Sequence, residues 1–167
     1  MSRKRDRAAV TVADVYATMD SIAPFAYAED WDNVGLLVGW MNAPVQSVLL
    51  AIDLTDTVAE EALKKDVDLL VLYHPPIFKG IRAVTDRAAG PTRYLPDLLA
   101  ARMSIIATHT AMDAAVGGTN DILLDAVAPV KRYPLDSTGA DDRDYKLVVF
   151  VPPAEVDGLR RALSAAA

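Results

Sequence analysis

Three short apolar runs, SVLLAID (47–53), DLLVLYH (68–74) and SIIATH (104–109), alternate with stretches of helical periodicity, and each run ends in a carboxylate or an imidazole. This alternation constrains the chain more than any other feature. Strands joined by helices pair in parallel through right-handed crossovers. Parallel pairing carries Asp53, His74 and His109 to one rim, the edge at which open α/β sheets bind ligands. The expected fold class is α/β, a largely parallel sheet flanked by helices, with the site on that rim.

The middle run is the most informative. Leu69 to Leu72 reads as a buried strand that delivers Tyr73 and His74 to its end, where Pro75 and Pro76 stop it. A residue before proline is excluded from the helical region, so His74 is expected to be extended. Ahead of it, Thr11 begins a helix whose apolar positions are Val12, Val15, Tyr16, Met19 and Ile22. Asp14 completes a capping box, and Pro24 ends the helix. A short strand is expected over Leu36 to Val38 between Gly35 and Gly39, a buried strand over 47–53, and a helix over 56–65 capped by Thr55 or Asp56. Residues 79–90 read as loop or short helix and 93–102 as a helix entered near Pro96. GGTNDILLDAV opens a further helix near Thr119.

Four segments are expected: an arm over 1–10, an α/β half over 11–129, a polar linker over 130–144, and the start of a second module over 145–167. In the last segment a fresh strand, YKLVVFV, precedes a helix. A lone strand and helix hardly make a domain.

Charge narrows the function. A net charge of −6 and a pI near 4.8 leave no basic field for phosphates, so nucleic acid and anionic membrane are not expected partners. The basic opening SRKRDR reads as a solvated arm. With no cysteine, any metal must take nitrogen and oxygen ligands. No apolar stretch approaches the roughly 20 residues of a membrane span, no signal-peptide pattern opens the sequence, and the cytoplasm is the expected location.

His74 and His109 are the two histidines of the chain. In H-T-A-M-D the four-residue spacing puts His109 and Asp113 on one helix face or on one turn leaving a strand. With His74 they offer two nitrogens and an oxygen, a set suited to Zn, Fe or Mn. Asp53, Glu29, Asp30 and Asp32 are further oxygen donors or general bases. The blander reading is that histidines at strand ends hydrogen-bond a loop, and that Asp32 and Asn33 make a turn beside a packed Trp31. GGTND either presents amides to an anion or is a glycine turn with Thr119 or Asn120 as N-cap, the second being favoured. No Walker A, G-x-G-x-x-G or serine nucleophile elbow is present.

AEDWDNVGLLVG, DLLVLYHPPIFKG and THTAMDAAVGGTNDIL, in this order, closely resemble the GTP cyclohydrolase I type 2 homolog family, dinuclear-metal-centre hexameric proteins related to the yeast NGG-one-interacting factor. The likeness covers roughly residues 11 to 128. It implies an α/β protein assembling as a toroidal homo-hexamer, with two divalent metal ions per subunit. In the family pattern two adjacent histidines end the middle strand and bind metal; here the pair is Tyr73 and His74, and only His74 matches. Asp113 matches a metal-binding aspartate. His109 matches a site histidine that orients a ligand or water, or moves a proton. The family completes the site with H-x-x-x-E in a second half, and no histidine follows His109. After Tyr145 the chain is similar to the opening of a ferredoxin-like α+β module. The resemblance thus implies an N-terminal fragment supplying about half the ligands.

Three functions follow as expectations: a metal-dependent hydrolase-like protein with a nucleotide substrate such as GTP; a non-catalytic metal-binding, regulatory or assembly protein; and a metal-free scaffold with an open sheet edge.

Overall fold

The computed structural model describes residues 9–134, 149 and 151–166. The chain divides into two compact units, 1–128 and 129–167.

In the first unit four strands, β1 (Gly35–Val38), β2 (Val48–Ala51), β3 (Leu69–Leu72) and β4 (Ser104–Ala107), form one sheet in the order β1-β4-β3-β2. β2, β3 and β4 are parallel, while β1 runs antiparallel to β4 with a bulge between Leu36 and Val38. The central strands β3 and β4 are buried at every position, as strands covered on both faces must be.

Side chains alternate across a strand, so β3 serves two cores. Leu70 and Leu72 pack with Val38, Ile105, Ala59, Ala62, Leu95 and Leu98 under the helices α2 (Asp56–Lys64) and α3 (Leu95–Ala100). Leu69 and Val71 pack with Ile106 and Val45 against Val12 of the helix α1 (Val12–Ile22). Each fully buried leucine contributes about 1.5–3 kcal/mol.

Local chemistry sets the helix starts. The Asp14 carboxylate accepts from the Thr11 amide (2.8 Å) and hydroxyl (2.7 Å), while the Thr11 hydroxyl oxygen caps the Asp14 amide, completing the expected box. Of the two candidate caps for α2, Thr55 serves, accepting from the Val58 amide at 3.3 Å. A 3-10 turn, Gly90–Tyr94, leads into α3, so the helix expected from Arg93 begins at Leu95.

Two expectations need correction. The run 47–53 is no buried strand: β2 is the sheet edge, and Val48, Leu50 and Ile52 are exposed (Leu50 by 71%) on the face that α1 covers only over the neighbouring strands. The second correction is at GGTND. The helix α5 (Thr119–Asp125) has Gly118 at its N-cap without a side-chain bond, and the Gly117 amide donates to Asp121 instead (2.6 Å). Neither Thr119 nor Asn120 is the cap; both lie within the helix.

In the second unit a 3-10 turn, Pro153–Glu155, opens α6 (Val156–Ala166), where Arg160 pairs with Asp157 at 3.0 Å. Residues 1–8 of the expected arm and most of the strand expected after Tyr145 lie outside the described residues; of that strand Val149 and Val151 are described, and neither is in a strand. Among the described residues no helix is long and apolar enough to cross a membrane.

Candidate functional site

Register builds the site. Ala51 pairs with Leu72, and Leu72 with Ala107, so these three residues form a row across the parallel strands. Two residues beyond each lie Asp53, His74 and His109. The ladder carries on into this segment, because the His74 amide donates to the Ile52 carbonyl and the His109 amide to the Tyr73 carbonyl, both at 2.9 Å. The fourth member enters from the opposite direction. β1 is antiparallel, so the residues before it stand at the same rim, and Asp32 meets His109 there.

The result is an ordered line: Asp32, His109, His74, Asp53. Asp32 Oδ1 lies 2.8 Å from His109 Nδ1, and Asp53 Oδ1 lies 2.8 Å from His74 Nδ1. The two imidazole rings are 5.4 Å apart between centroids. An ionised carboxylate only accepts, so in the neutral form of either ring this contact calls for a hydrogen on Nδ1 and a bare Nε2. The two pairs differ in exposure. The Asp32 side chain is 0% exposed and that of His109 18%, whereas His74 and Asp53 are 47% and 57% exposed.

Behind this line Tyr73 and Asp113 make a second contact. His109 opens the short helix α4 (His109–Ala114), which swings Asp113 over the end of β3, and the Tyr73 hydroxyl donates to Asp113 Oδ1 at 2.6 Å. Burial first, and then the adjacent Asp113 carboxylate, push the Tyr73 phenol up to about 12. It stays protonated at neutral pH and acts as a donor. Trp31 and Phe78, both exposed, stand 6.3 and 6.1 Å from the His109 ring.

Asp32 is heavily engaged. Besides His109 it accepts from the Asn33 amide (2.7 Å), the Thr110 amide (3.1 Å) and the Thr110 hydroxyl. Burial opposes its ionisation, but bonds from the Thr110 hydroxyl, His109 and the two amides outweigh burial and hold the carboxyl below the usual aspartate range. Glu29 reaches the site through its backbone amide, which donates to the Thr110 hydroxyl oxygen at 3.1 Å.

The four-residue spacing of His109 and Asp113 does place both on α4, yet each turns to a different partner. No group of three or more metal-ligating side chains converges among the described residues. Catalytic zinc sites use three protein ligands. His74, through Nε2, and Asp113, through the oxygen not taken by Tyr73, fit as part of such a set and fall short of a whole one. The pairing of Asp32 with His109 and Thr110 is not legible in the sequence, where Asp32 reads as an oxygen donor or as a turn residue. The signal that could have found it is a carboxylate just before a strand whose direction opposes its neighbours.

Residues 10–164 match the family described as Duf34/NIF3 (NGG1p interacting factor 3). The chain belongs to this family. Among its curated relatives, a Bacillus subtilis protein named GTP cyclohydrolase 1 type 2 homolog is 36% identical over 145 residues, covering 86% of this chain and 38% of the relative. The Drosophila melanogaster NIF3-like protein 1 is 38% identical over 126 residues, covering 75% and 43%. Among solved structures, a Staphylococcus aureus hypothetical protein superposes with a TM-score of 0.66 at 34% identity over 71% of this chain and 34% of that one. A Bacillus cereus protein related to NIF3 gives 0.70 at 28%, over 79% and 36%. The chain thus spans about two-fifths of the length of these NIF3-family relatives.

Proposed function

We propose that this chain forms one half of a metal-dependent, hydrolase-like site in a NIF3-family protein. His74 and Asp113 would hold divalent metal, Zn, Fe or Mn, together with donors from outside the described residues. A bound metal pair supplies Lewis acidity toward a water and an electrophilic carbon. The remaining work falls to this chain. Asp53 holds the His74 ring by Nδ1 and raises its basicity as a ligand. His109, with Nε2 bare, takes a proton from the attacking water and returns it to the leaving group. Tyr73, a neutral donor, keeps one Asp113 oxygen occupied and so fixes the direction of the other. The names of the curated relatives make GTP the first substrate to test, and the family resemblance makes a homo-hexamer the expected assembly.

The observation that carries this reading is the line of two imidazoles, each held at Nδ1 by its own carboxylate. The test uses the longest form the source cells make, loaded with Zn, Mn or Fe. Metal is expected to co-purify and to be lost on His74→Ala or Asp113→Ala, and GTP is expected to be consumed. Intact GTP beside a known cyclohydrolase that converts it would overturn the substrate, and a metal-free protein would overturn the site. The incomplete donor set among the described residues favours a second reading, a metal-binding regulatory or assembly protein; metal bound without turnover across a panel of nucleotides and phosphoesters would select it.

A further inference from the structure

We propose that Asp32 is the positioning residue of this rim: it fixes His109 in the Nδ1–H tautomer, so that the unprotonated Nε2 is the atom offered to the reaction. The inference deepens the reading of His109 as the proton-transfer group and rests on it.

The carboxylate has no freedom to do otherwise. Its side chain is fully buried and accepts four bonds, from His109 Nδ1, the Asn33 amide, the Thr110 amide and the Thr110 hydroxyl. Two of the donors are backbone amides, which cannot turn away. An ionised carboxylate has no proton to give, so the hydrogen in the contact with His109 belongs to the imidazole.

The backbone agrees. His109 sits at φ +30, in the left-handed region that a residue bearing a Cβ rarely adopts. Such a conformation persists only where the surroundings over-determine it. Here the His109 amide is tied to Tyr73 on one side, and Thr110 is tied twice to Asp32 on the other. Asn33 extends the same device to the neighbouring strand end, its side-chain amide donating to the Ile77 carbonyl at 2.6 Å, just past the His74–Pro75–Pro76 corner. Two consecutive residues therefore hold the loops that follow β3 and β4. The Asp53–His74 pair has the same chemistry but lies open to water, and it lacks this second anchorage.

Asp32→Ala tests the point because it removes the acceptor that faces Nδ1. Asp32→Asn is less decisive: Oδ1 serves both His109 and the Asn33 amide and Oδ2 serves the Thr110 amide, so either orientation of the new amide opposes one backbone N–H. A neutral imidazole without a partner at Nδ1 favours the Nε2–H form in water. The chain has two histidines, so long-range 1H–15N correlation of the imidazoles resolves them at alkaline pH, where both rings are neutral. The wild type is expected to show His109 as Nδ1–H. Asp32→Ala is expected to shift it to Nε2–H and leave His74 unchanged, and Asp53→Ala to alter His74 alone. A wild-type His109 already in the Nε2–H form would overturn the proposal, and that measurement stands even where Asp32→Ala does not fold. An unchanged His109 tautomer in folded Asp32→Ala would overturn it as well. None of these readouts needs metal or turnover, so the functional reading can fail separately. In a protein active as proposed, Asp32→Ala is expected to lower kcat about 10²–10⁴-fold with KM nearly unchanged.

Discussion

Gly39→Ala offers a direct test of how β1 is seated on β4. Gly39 follows β1 at φ +103, and a Cβ built there would overlap Ser104 Oγ and stand 2.6 Å from Ser104 Cβ and 2.7 Å from the Ser104 backbone. Two costs add. A residue with a Cβ at positive φ loses about 1–2 kcal/mol, and forcing an extra methyl into packed surroundings costs about 1–3 kcal/mol. Ser104 is fully buried, and its hydroxyl accepts from the Trp40 amide at 3.3 Å, so it cannot move aside without leaving that amide unpaired. The expected loss is about 2–5 kcal/mol. Urea unfolding followed by tryptophan fluorescence reads it, Trp40 being the next residue. With a slope of about 1–3 kcal/mol/M the midpoint falls by about 0.7–5 M. Ser104→Gly in the same chain deletes the side chain that the new methyl would strike, while the crowding against the backbone and the positive φ remain. The double variant is therefore expected to recover part of the loss, with an interaction energy of about 0.5–3 kcal/mol. A midpoint shift under about 0.3 M for Gly39→Ala would refute the seating of β1 described here.

The remaining predictions concern single carboxylates and the phenol. Asp68 accepts from the Gln46 amide (2.8 Å), the Ser47 amide (2.9 Å) and the Ser47 hydroxyl (3.0 Å), and the Gln46 amide foremost holds its carboxyl below the usual range. Its contribution is present above the ordinary aspartate value of about 3.9 and is lost as pH falls through the folded value. Asp68→Ala is therefore expected to cost about 1–3 kcal/mol near pH 7 and to flatten the acid side of the stability profile, as measured by urea melts between pH 2 and 7. Tyr73 has the opposite sign. Its folded value of about 12 exceeds the ordinary value of about 10, so its contribution is complete below pH 10 and lost as pH rises toward 12. Tyr73→Phe should remove that alkaline slope; an unchanged slope would show that ionisation of the Tyr73 phenol does not govern it. In the metal-loaded protein, Asp53→Asn is expected to weaken metal affinity about 10–100-fold while leaving both proposed ligands in place, measured by competition with a chelating dye.

Residues 68–74 and 104–109 disclosed the core because both central strands are buried on two faces, which writes a continuous apolar run into the sequence. The start of α1 was equally legible, since a capping box is a contact between residues three apart. Asp53, His74 and His109 could be placed on one rim for the same reason: parallel pairing needs only strand order. The edge strand misled. Val48, Leu50 and Ile52 have the composition of a core strand, and nothing local records that β2 has a neighbour on one side only. The direction of β1 was invisible too, and with it the approach of Asp32, since strand direction is decided by how Gly35 to Val38 meets residues about 70 positions away. The Tyr73–Asp113 bond, spanning 40 residues, depends on where α4 swings after His109.

The shared row of Ala51, Leu72 and Ala107 bears on how such a chain tolerates change in length. Helices and loops between the strands can gain or lose residues without disturbing the rim, because each strand is re-registered by its own apolar pattern. A single deletion inside 69–73 has no such latitude. It would bring His74 to the place of Tyr73 and turn its ring from Asp53 toward Asp113, while each strand residue beyond the deleted position crossed to the opposite core. Variation in length is therefore expected to be frequent in 79–92 and absent from 69–74, and a library of one-residue deletions scored for folding would map that boundary residue by residue.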